Sequence, residues 1–64
     1  MENSIRVRRK ALKMSQAELG DLTKVTRQTI NAIENAKYDP SLALAFKLAR
    51  TLDTTVDDLF QDQA

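Results

Sequence analysis

At 64 residues, with neither cysteine nor histidine, the chain is one small domain whose core has no disulfide or thiolate metal site to supplement it. A deep catalytic cleft would have to be cut from a core barely large enough to fold, and the commonest general base is missing, so neither an enzyme nor a cofactor is expected. Net charge is only +1, but residues 1–37 hold eight Lys or Arg against four acids, while residues 38–64 hold two against five. That asymmetry suits a protein that meets a polyanion with one face, although a solvated charge run would give it too. No apolar run is long enough to cross a bilayer, and the amino terminus lacks a signal-peptide pattern. Both features predict a soluble, cytoplasmic protein.

In chain order, Asn3 or Ser4 can cap a first helix running to about Lys13. Ile5, Arg8 or Arg9, Leu12 and Met14 fall near one side of it, and the arginine stems help to cover the core. A second helix covers roughly Gln16 to Leu22. It opens on Ser15 with Glu18 three residues on, a capping box in which each side chain satisfies the other's backbone N–H. It also holds Gly20, the only glycine in the chain. A mid-helix glycine costs roughly 1 kcal/mol relative to alanine, and close approach of another helix is the reason expected for it.

After a tight break at Thr23 and Lys24, a third helix spans roughly Arg27 to Asn35, opened by Thr26. Leu19, Leu22, Val25, Ile30 and Ile33 let both helices bury one face against the same core. The loop AKYDPS follows, with Ser41 as cap for a fourth helix whose Leu42, Ala45, Leu48, Ala49 and Leu52 are expected inward. Leu44 and Phe46 fall partly off that face. Thr55 and Asp58 form a second capping-box-like pair for a short fifth helix burying Val56, Leu59 and Phe60, and the tail QDQA is expected to fray. No strand pattern is visible. The expectation is an all-α bundle of five short helices, one domain over residues 1–64, with a helix-turn-helix at about 15–35. On its third helix a row of long hydrogen-bonding side chains faces outward, the arrangement suited to the DNA major groove.

The stretches SQAEL, VTRQTINAIEN, KYDPSLALAFKLA and VDDLF resemble the phage-repressor-type (Cro/cI, or XRE) helix-turn-helix family, the lambda-repressor-like fold, over roughly residues 3–60. The short stand-alone members with a TRQTI recognition helix are the most similar. The resemblance implies a transcriptional regulator that binds double-stranded DNA, usually as a homodimer on a palindromic operator. Thr26, Arg27 and Gln28 match positions at the tip of the recognition helix, with Thr29 and Asn31 behind them. Arg27 can take guanine O6 and N7, and Gln28 can pair with adenine N6 and N7. Gln16, Asn35 and Lys37 match phosphate-contacting positions, Lys24 brings a cation to the same edge, and Tyr38 is either a further phosphate contact or a stacked structural residue. Arg9 and Glu34 match an ion pair between the first and third helices, a scaffold role that keeps Glu34 from repelling phosphate. Removal of one partner from such a buried pair costs several kcal/mol, whereas replacement of both can cost little.

The chain departs from the family where members place glycine after the first four helices, here Lys13, Lys24, Ala36 and Asp53. A left-handed conformation at each would cost about 1 kcal/mol, least at Asp. Nothing follows residue 60 that could form a sensor domain, so no small-molecule effector is expected. One recognition helix reads few base pairs, which favours two copies on half-sites about 34 Å apart. The alternative is a protein-interaction module, such as an antitoxin-like partner with secondary DNA binding, for which Leu44 with Phe46 is the available apolar surface.

Overall fold

The computed structural model describes residues 1–61. Five helices follow one another with short connections: α1 (Ile5–Ala11), α2 (Gln16–Thr23), α3 (Arg27–Glu34), α4 (Leu42–Thr51) and α5 (Val56–Leu59). To this all-α bundle the chain ends add a clasp: β1 (Glu2–Asn3) pairs antiparallel with β2 (Phe60–Gln61), Glu2 opposite Gln61 and Asn3 opposite Phe60. Strands of two residues are too short to leave an alternating pattern in the sequence. Ser4 N–H continues the clasp by donating to the Leu59 carbonyl at 2.9 Å. Gln61 is therefore paired, and the rest of the QDQA tail lies outside the described residues. No helix among the described residues is long and apolar enough to cross a membrane.

The helix starts follow from their caps. Ser15, Thr26, Ser41 and Thr55 each accept a hydrogen bond from the backbone N–H three residues on. Glu18 returns the bond to Ser15 N–H at 3.0 Å, whereas the Thr55–Asp58 pair is one-sided. For α1 it is Asn3, not Ser4, whose side chain receives a first-turn N–H, that of Ile5.

The core collects Ile5, Leu19, Ile30, Ile33, Leu48 and Leu59 as fully buried apolar side chains, with Ala45, Ala49, Leu52 and Phe60 around them. Leu22 and Leu42 are not in it: they are 60% and 69% exposed. In α2 the inward positions are Leu19, Gly20 and Thr23. Thr23 is tolerated there because its hydroxyl donates to the Leu19 carbonyl at 2.7 Å, and Leu22 lies on the outward side of the helix. In α4 the buried stripe is Ala45, Leu48 and Ala49, continued by Leu52 at the end of the helix. Leu44 packs against the core from one side, while Leu42, at the first helical position, projects beyond it. Leu12 is likewise exposed at the end of α1.

Four helices end the same way. Lys13, Lys24, Ala36 and Asp53 have φ of 56°, 63°, 57° and 57°. In each case the next residue's N–H reaches back five positions: Met14 to Arg9, Val25 to Gly20, Lys37 to Ala32 and Thr54 to Ala49, at 2.9–3.0 Å. The left-handed residue itself bonds three back. This is the Schellman closure, built four times without glycine. The only glycine is used elsewhere: a Cβ on Gly20 would lie 2.7 Å from the Val25 carbonyl oxygen and 3.3 Å from the Thr26 carbonyl carbon. The close approach is therefore by the backbone of the turn, not by the side of another helix.

Two substitutions test these backbone assignments by thermal melting. Ala36→Gly should stabilise the fold by roughly 0.5–1 kcal/mol, a rise of a few degrees in Tm, because it relieves left-handed strain in excess of the added chain entropy. Gly20→Ala should destabilise by about 1–3 kcal/mol, opposite in sign to helix propensity.

Candidate nucleic-acid interface

Between Gly20 and Thr26 the chain turns back tightly enough to set α2 against α3. Thr26, in an extended conformation, starts α3 with its hydroxyl accepting from Thr29 N–H at 3.1 Å, and the two threonine hydroxyls are 3.0 Å apart. Both side chains are thus engaged with each other at the tip of the helix. Arg27 and Gln28 follow, both exposed, and neither side chain has a hydrogen-bond partner among the described residues. Together with Gln16 and Asn31 they line a shallow notch of about 270 Å³. Ile30 and Ile33, on the other side of α3, are fully buried and anchor the helix. Lys24, Lys37 and Tyr38 are exposed outside the notch, Lys24 at the turn and the other two beyond the end of α3.

Behind this surface the Glu34 side chain is completely buried. Its Oε2 accepts from Arg9 Nε at 2.7 Å, and its Oε1 accepts from Arg9 Nη2 at 3.2 Å, Arg6 Nε at 3.1 Å and Gln16 Nε2 at 3.1 Å. Arg9, itself buried, also donates from Nη1 to the Met14 carbonyl at 2.8 Å. One carboxylate therefore joins α1, the loop after it, the start of α2 and the end of α3. Among the described residues no buried side-chain nitrogen or oxygen lacks a partner.

Burial by itself pushes the Glu34 pKa upward. The hydrogen bonds from Arg9, Gln16 and Arg6, with the charge of Arg9, outweigh it and hold the group below the ordinary glutamate value of 4.5.

The junction also decides what two amides can do. An ionised carboxylate only accepts, so Gln16 must turn its nitrogen inward, and its carbonyl oxygen and second N–H hydrogen are left free. Asn35 accepts from Arg6 Nη2 at 3.0 Å through its oxygen, and its nitrogen donates to the Asn31 carbonyl at 2.9 Å and to Asn31 Oδ1 at 3.3 Å. Of the amide donors expected to reach a phosphate, those of Asn35 are committed inside the protein, whereas Gln16 keeps one of its two N–H hydrogens unused among the described residues. Arg6 was not singled out from sequence. Its signal is the spacing of Arg6 and Arg9, three residues apart on one face of α1, opposite a single acid.

The helix-turn-helix family model matches residues 5–59. The chain is 43% identical over 60 residues to an uncharacterized HTH-type transcriptional regulator of Methanocaldococcus jannaschii, covering 94% of this chain and 91% of that protein. A similarly described regulator of Methanothermobacter thermautotrophicus is 46% identical over 61 residues, 94% and 88% of the two chains. One from Bacillus subtilis is 40% identical over 60 residues, 94% and 91%. Among solved structures, the hydroxypropylphosphonic acid epoxidase from S. wedmorenis superposes with a TM-score of 0.81 at 28% identity. The match covers 94% of this chain but only 32% of the epoxidase, so this chain spans about a third of that enzyme.

The buried carboxylate makes a pH prediction. A depressed folded-state pKa means that the unfolded chain binds the proton more readily. The stability from Glu34 is therefore complete above about pH 4.5 and is lost as pH falls through the lower folded value. In melts from about pH 6 to about pH 2, the stability difference between the natural chain and Glu34→Gln should shrink on acidification. A constant difference would contradict the assignment.

Proposed function

The chain belongs to the helix-turn-helix family, and from that premise we propose that it is a transcriptional regulator, a repressor-type protein that binds double-stranded DNA sequence-specifically. The observation that carries this reading is the outward row of α3. Arg27 and Gln28 are long, exposed and without internal partners, on a short helix held rigidly by its cap, its buried isoleucines and the Glu34 junction. A surface with no binding role has no need to present such side chains together at a helix tip, whereas base edges in the major groove match them in donor and acceptor pattern.

In this reading α3 enters the major groove. Arg27 takes a guanine edge, Gln28 an adenine edge, and Asn31 reads further along the helix. Thr26 and Thr29, whose hydroxyls already bond each other, offer their methyl groups and second lone pairs. Lys24, Lys37 and Tyr38 grip the backbone to either side. At Gln16 the backbone N–H at the start of α2 and the amide hydrogen not used by Glu34 are the donors open to a phosphate. Asn35, its nitrogen committed, acts through its neighbours. A single α3 reads few base pairs, so the acting species is a dimer on a palindromic operator. The chain works in the cytoplasm, carries out no reaction of its own and responds to no small-molecule effector. The epoxidase likeness bears on the fold of about a third of that enzyme and brings no chemistry with it.

A second reading, a protein-interaction module with secondary DNA binding, is favoured by one observation. Met1, Pro40, Leu42, Val56 and Phe60 line an apolar groove of about 240 Å³ away from the notch residues, with Leu42 largely exposed at its edge.

Selection of bound duplexes from a random pool, followed by titration at two salt concentrations, tests the leading reading. Affinity for the selected duplex should fall steeply with salt, with a log–log slope of several. Arg27→Ala should cost about 1–3 kcal/mol on that duplex and much less on a mixed sequence. Affinity indifferent to both sequence and salt would leave the protein-interaction reading in possession.

A further inference from the structure

Arg6 has no role in the row of side chains discussed so far, yet it is the most deliberately held of the exposed cations. Its Nε donates to Glu34 Oε1 at 3.1 Å and its Nη2 to Asn35 Oδ1 at 3.0 Å, while its side chain stays 49% exposed. A guanidinium has five N–H donors; two are used, and those of Nη1 with the second hydrogen of Nη2 have no partner among the described residues. Two guanidinium groups stand against one carboxylate at the junction, which leaves a positive charge uncompensated. Arg6 is also joined to the notch from two sides. Glu34 links it to Gln16, and Asn35 links it to Asn31, both of which line that notch.

Resting on the DNA-binding reading, we infer that Arg6 is a phosphate-binding residue, held by Glu34 and Asn35 so that its free donors form a fixed fork for a DNA backbone phosphodiester. The planar fork matches two phosphate oxygens. Because its plane is fixed in the free protein, little side-chain freedom is lost on binding. Asn35, whose own nitrogen is spent on Asn31, contributes here as the acceptor that orients Arg6. The phosphate contact that family resemblance suggests at Asn35 is thereby moved to Arg6.

The experiment is salt-dependent titration of the natural chain, Arg6→Met and Arg6→Lys against both a mixed-sequence duplex and the selected duplex. Melting curves establish that the variants fold, since the Arg9–Glu34 pair remains in both. Arg6→Met should weaken binding to the two duplexes by similar factors, roughly threefold to tenfold, and lower the log–log salt slope by about 1. Arg6→Lys should keep most of the slope. An unchanged slope in Arg6→Met, or a loss confined to the selected duplex, would overturn the assignment. In parallel, the Arg6 side-chain nitrogen resonances of the natural chain should shift on addition of the mixed-sequence duplex. Their indifference would overturn it even if Arg6→Met did not fold. If the natural chain bound neither duplex, it is the DNA-binding reading that would fail, so the two failures are distinct.

Discussion

The structure depends on one buried carboxylate. Glu34 accepts hydrogen bonds from Arg9, Arg6 and Gln16, and Arg9 carries the connection on to the loop at Met14. Without Glu34, two guanidinium groups would repel each other beside α3, and Arg9 would be a buried charge without a counterion. With it, α1, α2 and α3 are fixed relative to one another at the end of α3 opposite its cap. The other end is fixed by the turn, where Gly20 lets the backbone of Val25 and Thr26 come within contact distance. A helix of eight residues, too short to be stable in isolation, is thus clamped at both ends and along its isoleucine face.

That clamping explains how so small a domain can present long polar side chains at defined positions. Ordering an arginine or glutamine on a moving helix would cost much of the binding energy, whereas a helix already fixed leaves only the side chain to order. The junction also sets polarity. A carboxylate that only accepts forces nitrogen inward at Gln16 and, through Arg6, oxygen toward α1 at Asn35. Donor and acceptor directions near the notch are therefore properties of the scaffold as much as of the residues themselves.

Against this rigidity stand the four Schellman closures on Lys13, Lys24, Ala36 and Asp53, each in a conformation that glycine adopts more cheaply. Together they cost a few kcal/mol, a large fraction of the stability of a 64-residue domain. At Lys24 the same substitution puts a cation at the turn, on the edge that the proposed function turns toward DNA. At Ala36 no such return is evident in the structure.

Caps, connections and helix order were legible in the sequence, because they rest on local chemistry. Ser15, Thr26, Ser41 and Thr55 accept first-turn N–H groups whatever the rest of the chain does, and the apolar spacing of Ile30, Ile33, Leu48 and Leu59 marks an inward face. The pairing of Arg9 with Glu34 and the unusual residues at the left-handed positions came from resemblance to a family, not from spacing. What only the tertiary structure decided was the rotation of each helix about its axis and the partners of its polar groups. Leu22 and Leu42 lie within the apolar rows yet face outward, because Leu19, Gly20 and Thr23 take the inward side of α2 and because α4 begins beyond the core. Arg6, Gln16 and Asn35 read as separate polar residues until Glu34 is placed among them, since hydrogen bonds between residues 18 to 29 positions apart leave no periodic trace in a sequence.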